Sequence, residues 1–542
     1  MTEDLLLINA DLRTMHPAHP RAEAIWLRDG RIAAVGGRGQ LRTLAPGARL
    51  IDAGGRLVLP GFQDAHIHLL NGGADLIETA QLYNCTTRTG LQAALADHAA
   101  GWGGPMVWGA GWACGFFGDH NLQREVLDAV VPDRPCLIYD DNFHNACLNT
   151  AAIVRVGLAD DTPDPPNGRF VRDAAGRATG MLHEDAIYWA LARLPATSEE
   201  TLQKGLLAGQ ALANRHGITG VLDAAVLDQH RRLYAWGAAA GLLTLRVAAT
   251  AHVKADETVD AALARLTAWR AAHGGEDFHI HSAKIFLDGG FENRTAATLA
   301  PYADAGGGIP PLMFPPDRIA ALFVALDAAR FQIHVHCIGD AATRAALDGF
   351  EAARIANGAW PSLHQIAHCQ LVHPDDRTRF RDLGVMANFQ PLWACNDPVI
   401  PDATMEMIGP VRAPWTYALR AMLDAGASYC LSSDWSVSTL NPFEIIGTAI
   451  TREPPRHRGR AVPFFSEQAI TVEEAVAGYT THAAAACWRA GFTGALRPGY
   501  SADLIVLDRN IFACDPYEVA ETRVCLTVFK GRIVHHDPAF LL

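Results

Sequence analysis

The chain has little that would suit a secreted, membrane-bound or nucleic-acid-binding protein. Its eleven cysteines are odd in number, scattered, and never spaced as Cys-x-x-Cys. Reduced thiols in a cytoplasmic protein are therefore expected rather than a disulfide framework. No apolar run approaches the ~18 residues needed to span a bilayer, so no membrane partner is expected. The opening MTEDLLLINADL has neither the basic n-region nor the apolar h-region of a secretory signal. Net charge is −13, and no basic stripe runs along the sequence. Phosphate backbones need such a stripe, so nucleic acid is excluded as a partner. The one basic cluster, Arg452 to Arg460 in TREPPRHRGR, contains two prolines and reads as an exposed loop. No Gly-x-Ser-x-Gly elbow occurs, which disfavours a serine hydrolase. Long internal repeats and low-complexity tracts are missing too.

What is present is a globular composition. Apolar residues make up 49% and charged residues 19% of 542 positions. A chain of that length suits one large domain with a smaller companion. Residues 1–60 alternate short apolar runs with turns: LLLINADLRTM, AIWLRDGRIAAVG and LIDAGGRLVLP. The last forty residues look alike, with SADLIVLDR and VCLTVFKGRIVHH. Two strand-rich ends can build one small β-sandwich, here residues 1–60 with 496–542, around a central domain spanning 61–495.

In that centre, apolar strands alternate with helical stretches such as Asp317–Arg330 and Pro414–Ala425. The strands are AHIHLL at 65–70, GITGVLDAAV, LLTLRVAAT, FHIHSAKIFLDG, FQIHVHCIGD, HQIAHCQLV, GVMANFQPLW and ASYCLSSDWS. Eight βα units predict a parallel, closed (β/α)8 barrel of the TIM type, an α/β fold. Residues 71–200 break the rhythm and read as an insertion after the first strand. Sites in such barrels are built from the loops that follow strands, so this insertion is expected to cover the site.

The chemistry-bearing residues gather at the ends of those strands. His66 and His68 form an H-x-H, and residues i and i+2 of a strand share a face, so two imidazoles converge as a divalent metal requires. Alone the motif is more often structural. Lys284 lies in the apolar run AKIFLDGG, where a bare ammonium is costly. It either pairs with a neighbouring acid or is carbamylated by CO2, which would give an anionic oxygen ligand able to bridge two metals. His336 in HVHCIGD and His368 in IAHCQLVHP end the next two strands. His334 lies one turn of the pleat deeper, and His373, before Pro374, falls in a loop. Asp434 in LSSDWS ends the last barrel strand, and is either catalytic or a capping or ion-pairing aspartate.

The order H-x-H, Lys, His, His, Asp resembles the amidohydrolase superfamily. The segments PGFQDAHIHL, HCIGD, AHCQL, SSDWSVSTLNP and LRPGYSADLIVLD resemble its YtcJ-like group, whose best-described activity is N-substituted formamide deformylase. The likeness covers nearly the whole chain. It implies a metal centre of His66, His68, Lys284, His336 and His368 holding one or two ions, Zn2+ or else Mn2+ or Fe2+. It further implies Asp434 as proton shuttle for hydroxide attack on a carbonyl.

The candidate walls are Trp112, Phe116, Phe117, His144, Phe291, Trp393 and Trp435, aromatic enough for an apolar or aromatic substrate group, although many such residues are simply core. Arg294 either holds an anionic group or pairs with Glu292. Glu184 is either a polar contact of the lid or a helix-start acid. The expected partners are a small-molecule substrate and a second copy in a homodimer. The competing functions are a heterocycle deaminase on the same barrel and a barrel that has lost its metal and its chemistry.

Overall fold

The computed structural model describes residues 4–112, 121–141, 143–304, 306–396, 404–455, 459 and 461–541. Phe116 and Phe117 lie outside these. Eight parallel strands form one sheet with neighbours in chain order: β1 (Phe62–Ile67), β2 (Ile218–Val226), β3 (Arg246–His252), β4 (Phe278–Phe286), β5 (Gln332–Cys337), β6 (Gln365–His368), β7 (Met386–Phe389) and β8 (Ser428–Leu431). Nearly every position in them is buried, as expected where helices cover one face and the barrel interior fills the other. That double burial is why the strands read as continuous apolar runs.

The interior also carries a polar chain. Gln365 Nε2 donates to Gln332 Oε1 (3.0 Å), Asn388 Nδ2 to Gln365 Oε1 (2.9 Å), and Ser432 Oγ to Asn388 Oδ1 (2.6 Å). Each amide has a partner, so the layer rigidifies the barrel beneath the strand ends instead of destabilising it.

Two further sheets use the chain ends. A four-stranded sheet contains Leu5–Ile8, Ala24–Arg28, Arg31–Gly36 and Arg49–Asp52. A six-stranded sheet joins Asp11–Arg13, Arg21–Ala22 and Leu57–Pro60 to Leu504–Leu507, Val524–Phe529 and Arg532–His536. Leu5, Leu7, Ile25, Leu27, Val58, Leu504, Val506 and Leu526 share one apolar core, so both chain ends make the sandwich. A helix, Arg38–Leu44, lies among these strands where the sequence pattern shows none.

By its internal contacts the chain divides into two units. One holds residues 1–69, 210–288 and 297–542, with barrel and sandwich together; the other holds 70–209 and 289–296. The second unit is built on a mixed six-stranded sheet that includes Val107–Trp112, Cys136–Asp140, Asn145–Leu148 and Ala178–Glu184.

Three local expectations are corrected. The first barrel strand begins at Phe62 and ends at Ile67, and Leu69–Glu78 is helical. The stretch 414–425 is not one helix: Ala413–Trp415 is a single 3-10 turn and Leu419–Asp424 a short helix. Between them Thr416 is extended and bridges Leu371, and Tyr417 takes a left-handed φ of 47°. The basic run starting at Arg452 is not solvated at its beginning, because Arg452 and Glu453 are both buried.

Candidate metal centre

The C-terminal ends of the barrel strands bring the sequence candidates of this unit together. His66 Nε2 lies 3.4 Å and His68 Nε2 3.1 Å from Oδ1 of Asp434, and the three ligand atoms fall within 4.8 Å of one another. His368 Nδ1 lies 3.9 Å from the other carboxylate oxygen. The His368 ring sits 5.0 Å from that of His66 and 4.5 Å from that of His336. Lys284, inside β4, is paired in register with His334 on one side and His252 on the other.

Burial sets the electrostatics. Lys284 Nζ is fully buried, has no hydrogen-bond partner among the described residues, and rests 4.7 Å from the Phe286 ring centroid. Burial pulls its pKa down to about 7, against the opposing charge of Asp434. Burial first, and then the Lys284 charge, holds His66 well below the usual imidazole range; burial and then His336 do the same to His368. Neutral imidazoles offer lone pairs. A buried carboxylate oxygen faced by two imidazole nitrogens, beside a lysine amine without a partner, is a donor set that a divalent cation fits. His368 and Asp434 also take left-handed backbone angles, φ 76° and 55°. Such angles cost about 1–3 kcal/mol each in non-glycine residues and cluster at functional sites.

Supporting residues that the sequence did not mark as ligands hold these side chains. Asp288, fully buried just past β4, accepts the N–H groups of Ile338 (3.0 Å), Gly339 (2.8 Å) and Ala297 (3.0 Å), and its Oδ1 lies 3.3 Å from Nδ1 of His336. Gly339 packs so closely there that a Cβ would stand 1.9 Å from the Ala297 carbonyl oxygen. His334 Nε2 lies 2.9 Å from Nδ1 of His66, sharing one proton with it. If His66 Nδ1 donates that proton, its Nε2 is left as the lone pair facing Asp434. Asp64 Oδ1 accepts the N–H groups of His66 (3.2 Å) and Ser433 (3.1 Å). The signals were present, in the Asp-Gly-Gly after the Lys284 strand and the Asp two residues before the first His, but each also reads as an ordinary turn or cap.

The aromatic candidates divide. Trp393 stacks over His368 with ring centroids 5.9 Å apart. Trp435 is buried, and its carbonyl oxygen accepts the His68 N–H (2.7 Å). Trp112 lies in the apolar core of the second unit, with Leu82, Leu91 and Val126, and so packs there. Phe291 is likewise fully buried. In that same unit His144 Nδ1 meets Glu184 Oε2 at 2.8 Å, and Glu184 Oε1 accepts Thr295 Oγ1 (2.7 Å) and Asn293 Nδ2 (3.2 Å). Glu184 therefore precedes a helix but spends its carboxylate on His144 and on the segment around Arg294, whose own φ is 59°.

Barrel, sandwich and strand-end cluster together define a hydrolase of the amidohydrolase type. Residues 49–535 match the amidohydrolase family model, and the chain belongs to that family, whose members act on carbon–nitrogen bonds. It is 27% identical to N-substituted formamide deformylase of Arthrobacter pascens, over 97% of both chains. It is 26% identical to Protein LONG AFTER FAR-RED 3 of Arabidopsis thaliana, over 94% of this chain and 87% of that one. Its fold resembles that of a metal-dependent hydrolase from Pyrococcus horikoshii, with TM-score 0.77 and 23% identity over 95% of this chain and 99% of that one. No helix among the described residues is long and apolar enough to cross a membrane.

Proposed function

We propose that this protein hydrolyses N-substituted formamides, or closely related small amides, that carry an apolar or aromatic group on nitrogen. The observation that carries the reading is the convergence of His66 and His68 on the buried Asp434 carboxylate, beside a lysine amine with no hydrogen-bond partner among the described residues. His66, His68, His336, His368 and Lys284 would hold one or two divalent ions, with imidazole and oxygen donors suited to Zn2+, and Mn2+ or Fe2+ as the next choices. The chemistry such an ion supplies when bound is acidification of water, from ~15.7 towards ~7, and polarisation of a carbonyl.

The chain's own groups do the rest. Asp434 takes the proton of the attacking water on its carboxylate and returns it to the departing amine nitrogen as the C–N bond breaks. The products are then formate and a free amine. Burial favours the neutral Lys284 amine, which can add CO2 and release a proton to become a carbamate, turning a neutral amine into an anionic oxygen donor. Trp393, stacked on His368, offers an apolar face for the nitrogen substituent.

The test is a screen of metal-replete protein against N-alkyl and N-arylalkyl formamides, longer acyl amides, and amino-substituted heterocycles. Formate and amine should appear in equal amounts, fastest for the arylalkyl compounds. Ammonia from heterocycles, with no amide cleaved, would replace this reading with deamination.

A further inference from the structure

Three arginines are buried among the described residues: Arg246, Arg412 and Arg452. Two are satisfied at their terminal nitrogens. Arg246 Nη1 and Nη2 reach Asp503, Ser501 and Glu276. Arg412 gives Nη1 to the Ala300 carbonyl (3.0 Å) and Nη2 to the Pro301 carbonyl (2.8 Å). Arg452 has no exposed surface, yet among the described residues neither its Nη1 nor its Nη2 has a hydrogen-bond partner.

The stem of Arg452 is held firmly. It ends the helix Pro442–Thr451, which follows β8, with φ 60°. Its N–H donates to Thr448 O (2.7 Å), its Nε to Phe464 O (2.8 Å), and its carbonyl accepts the Phe464 N–H (2.8 Å). The guanidinium carbon stands 5.5 Å from the Phe464 ring centroid. The adjacent carboxylate is engaged elsewhere: Glu453 Oε2 accepts the Gly459 N–H (2.6 Å) and Oε1 the Tyr517 hydroxyl (2.7 Å). Among the described residues, the other acidic groups whose charge acts on Arg452 are the Cys395 thiol, the Tyr417 phenol and Glu467, and none makes an ion pair with it. Cys395 Sγ lies 3.3 Å from Leu392 O, to which it donates as a thiol. Burial pulls the guanidinium down only to about 10, so it stays charged at neutral pH.

A cation so enclosed is strongly destabilising unless an anion accompanies it. We infer that the paired Nη groups of Arg452 form a buried site for one small monovalent anion, a halide or a small carboxylate such as formate. The planar fork matches a carboxylate edge-on and also cradles a single halide. One negative charge neutralises the site, whereas a divalent oxyanion would leave an excess. This inference stands apart from the choice of substrate.

The test uses full-length, metal-loaded protein. Crystals soaked in sodium bromide should show an anomalous peak within hydrogen-bond reach of Arg452 Nη1 and Nη2. Formate added at rising concentration should displace the peak if the site takes carboxylates and leave it if the site selects halides. In solution, bromide or chloride should raise Tm saturably relative to gluconate at equal ionic strength, and Arg452→Met should lose that response. Scattering at the guanidinium that stays that of water in bromide, together with a wild-type Tm indifferent to the anion, would overturn the inference. So would an Arg452→Met variant with an undiminished halide response. The bromide map needs no variant, so a failure of Arg452→Met to fold leaves the test intact.

Discussion

The backbone N–H of Asp434 donates to the carbonyl oxygen of His66 across 2.8 Å. Two more bonds flank it: the His68 N–H reaches the Trp435 carbonyl (2.7 Å), and the Asp64 carboxylate accepts the N–H groups of His66 and Ser433. The first and last barrel strands are thus joined where the candidate ligands and acid sit. Closing the barrel also sets the distance between the H-x-H pair and Asp434, so the geometry rests on backbone bonds and not on long side chains settling by themselves.

Asp288 touches no reacting atom, yet it should matter to the metal. Its Oδ1 lies 3.3 Å from Nδ1 of His336, close enough to bear on that ring's orientation, and it gathers three backbone N–H groups from two loops. Replacing a group that orients a metal ligand typically lowers metal affinity about 10–100-fold. Asp288→Asn should therefore weaken metal binding within that range while KM, measured at saturating metal, changes little. Competition with a metal-sensitive dye and kinetics at two metal concentrations would read both. Unchanged metal affinity would leave Asp288 as only a loop anchor.

The His144–Glu184 pair should give the second unit a pH-dependent stability. Burial alone would depress the His144 imidazole, but the Glu184 charge and hydrogen bond outweigh it and push the pKa up to about 9. Burial works the other way on Glu184, where His144 and its hydrogen bonds prevail and bring it down to about 2. A raised histidine contributes fully below its unfolded value of 6.5 and loses its contribution as pH climbs through about 9. A depressed glutamate contributes fully above 4.5 and loses its contribution as pH falls towards about 2. The stability gap between wild type and Glu184→Gln should be widest near pH 5–6, on the order of 3 kcal/mol, and narrow steadily from pH 6.5 to 9. Hydrogen exchange at residues 289–296 followed over that range would show it, and a gap independent of pH would refute the pairing.

The eight barrel strands were legible because a strand buried on both faces is apolar along most of its length, and the turns between strands break those runs. The candidate ligands were legible because polar residues at apolar strand ends stand out, Lys284 most of all. The rest depended on residues meeting across the fold. Nothing in HEDA and FHNA shows that Glu184 and His144 meet, since the contact joins the end of one strand to the residue before another in a sheet whose order the sequence does not print. Arg452 sits in a basic, proline-rich run that looks solvated, and only packing on Phe464 reveals it as enclosed. The helix expected over 414–425 fails because Thr416 is taken by a bridge to Leu371, a tertiary contact that overrides local helix preference.

Arg246 ties the base of β3 to the sandwich through Asp503, both residues nearly fully buried, with Ser501 and Glu276 sharing the guanidinium. Removing one partner from a buried pair strands the other charge and typically costs about 3–5 kcal/mol. Arg246→Met should lower unfolding stability by that amount in urea titration while leaving kcat of the folded fraction near wild type, because the pair makes none of the contacts at the metal centre. A large fall in kcat at full folding would mean that sandwich and barrel are coupled to catalysis.

Asp434→Asn separates a proton shuttle from a structural acid. The substitution keeps the side chain's shape and leaves the backbone bond to His66 in place. An amide cannot accept the water's proton, and general acid–base catalysis typically contributes ~10²–10⁴-fold, so kcat should fall at least into that range. Tm should change little, since the groups around the carboxylate include His66 and His368, which burial keeps neutral, and Lys284, whose amine burial already pulls down to about 7. Metal content must be measured on the same preparation, because His66 and His68 face the carboxylate and a lost ion would imitate a lost shuttle. A structural role predicts the opposite pattern, with marked destabilisation and turnover preserved in whatever remains folded. Metal-replete Asp434→Asn that retains more than about a tenth of wild-type kcat, well short of the ~10²-fold loss expected for a shuttle, would remove Asp434 from the chemistry and leave it as a clasp on the barrel seam.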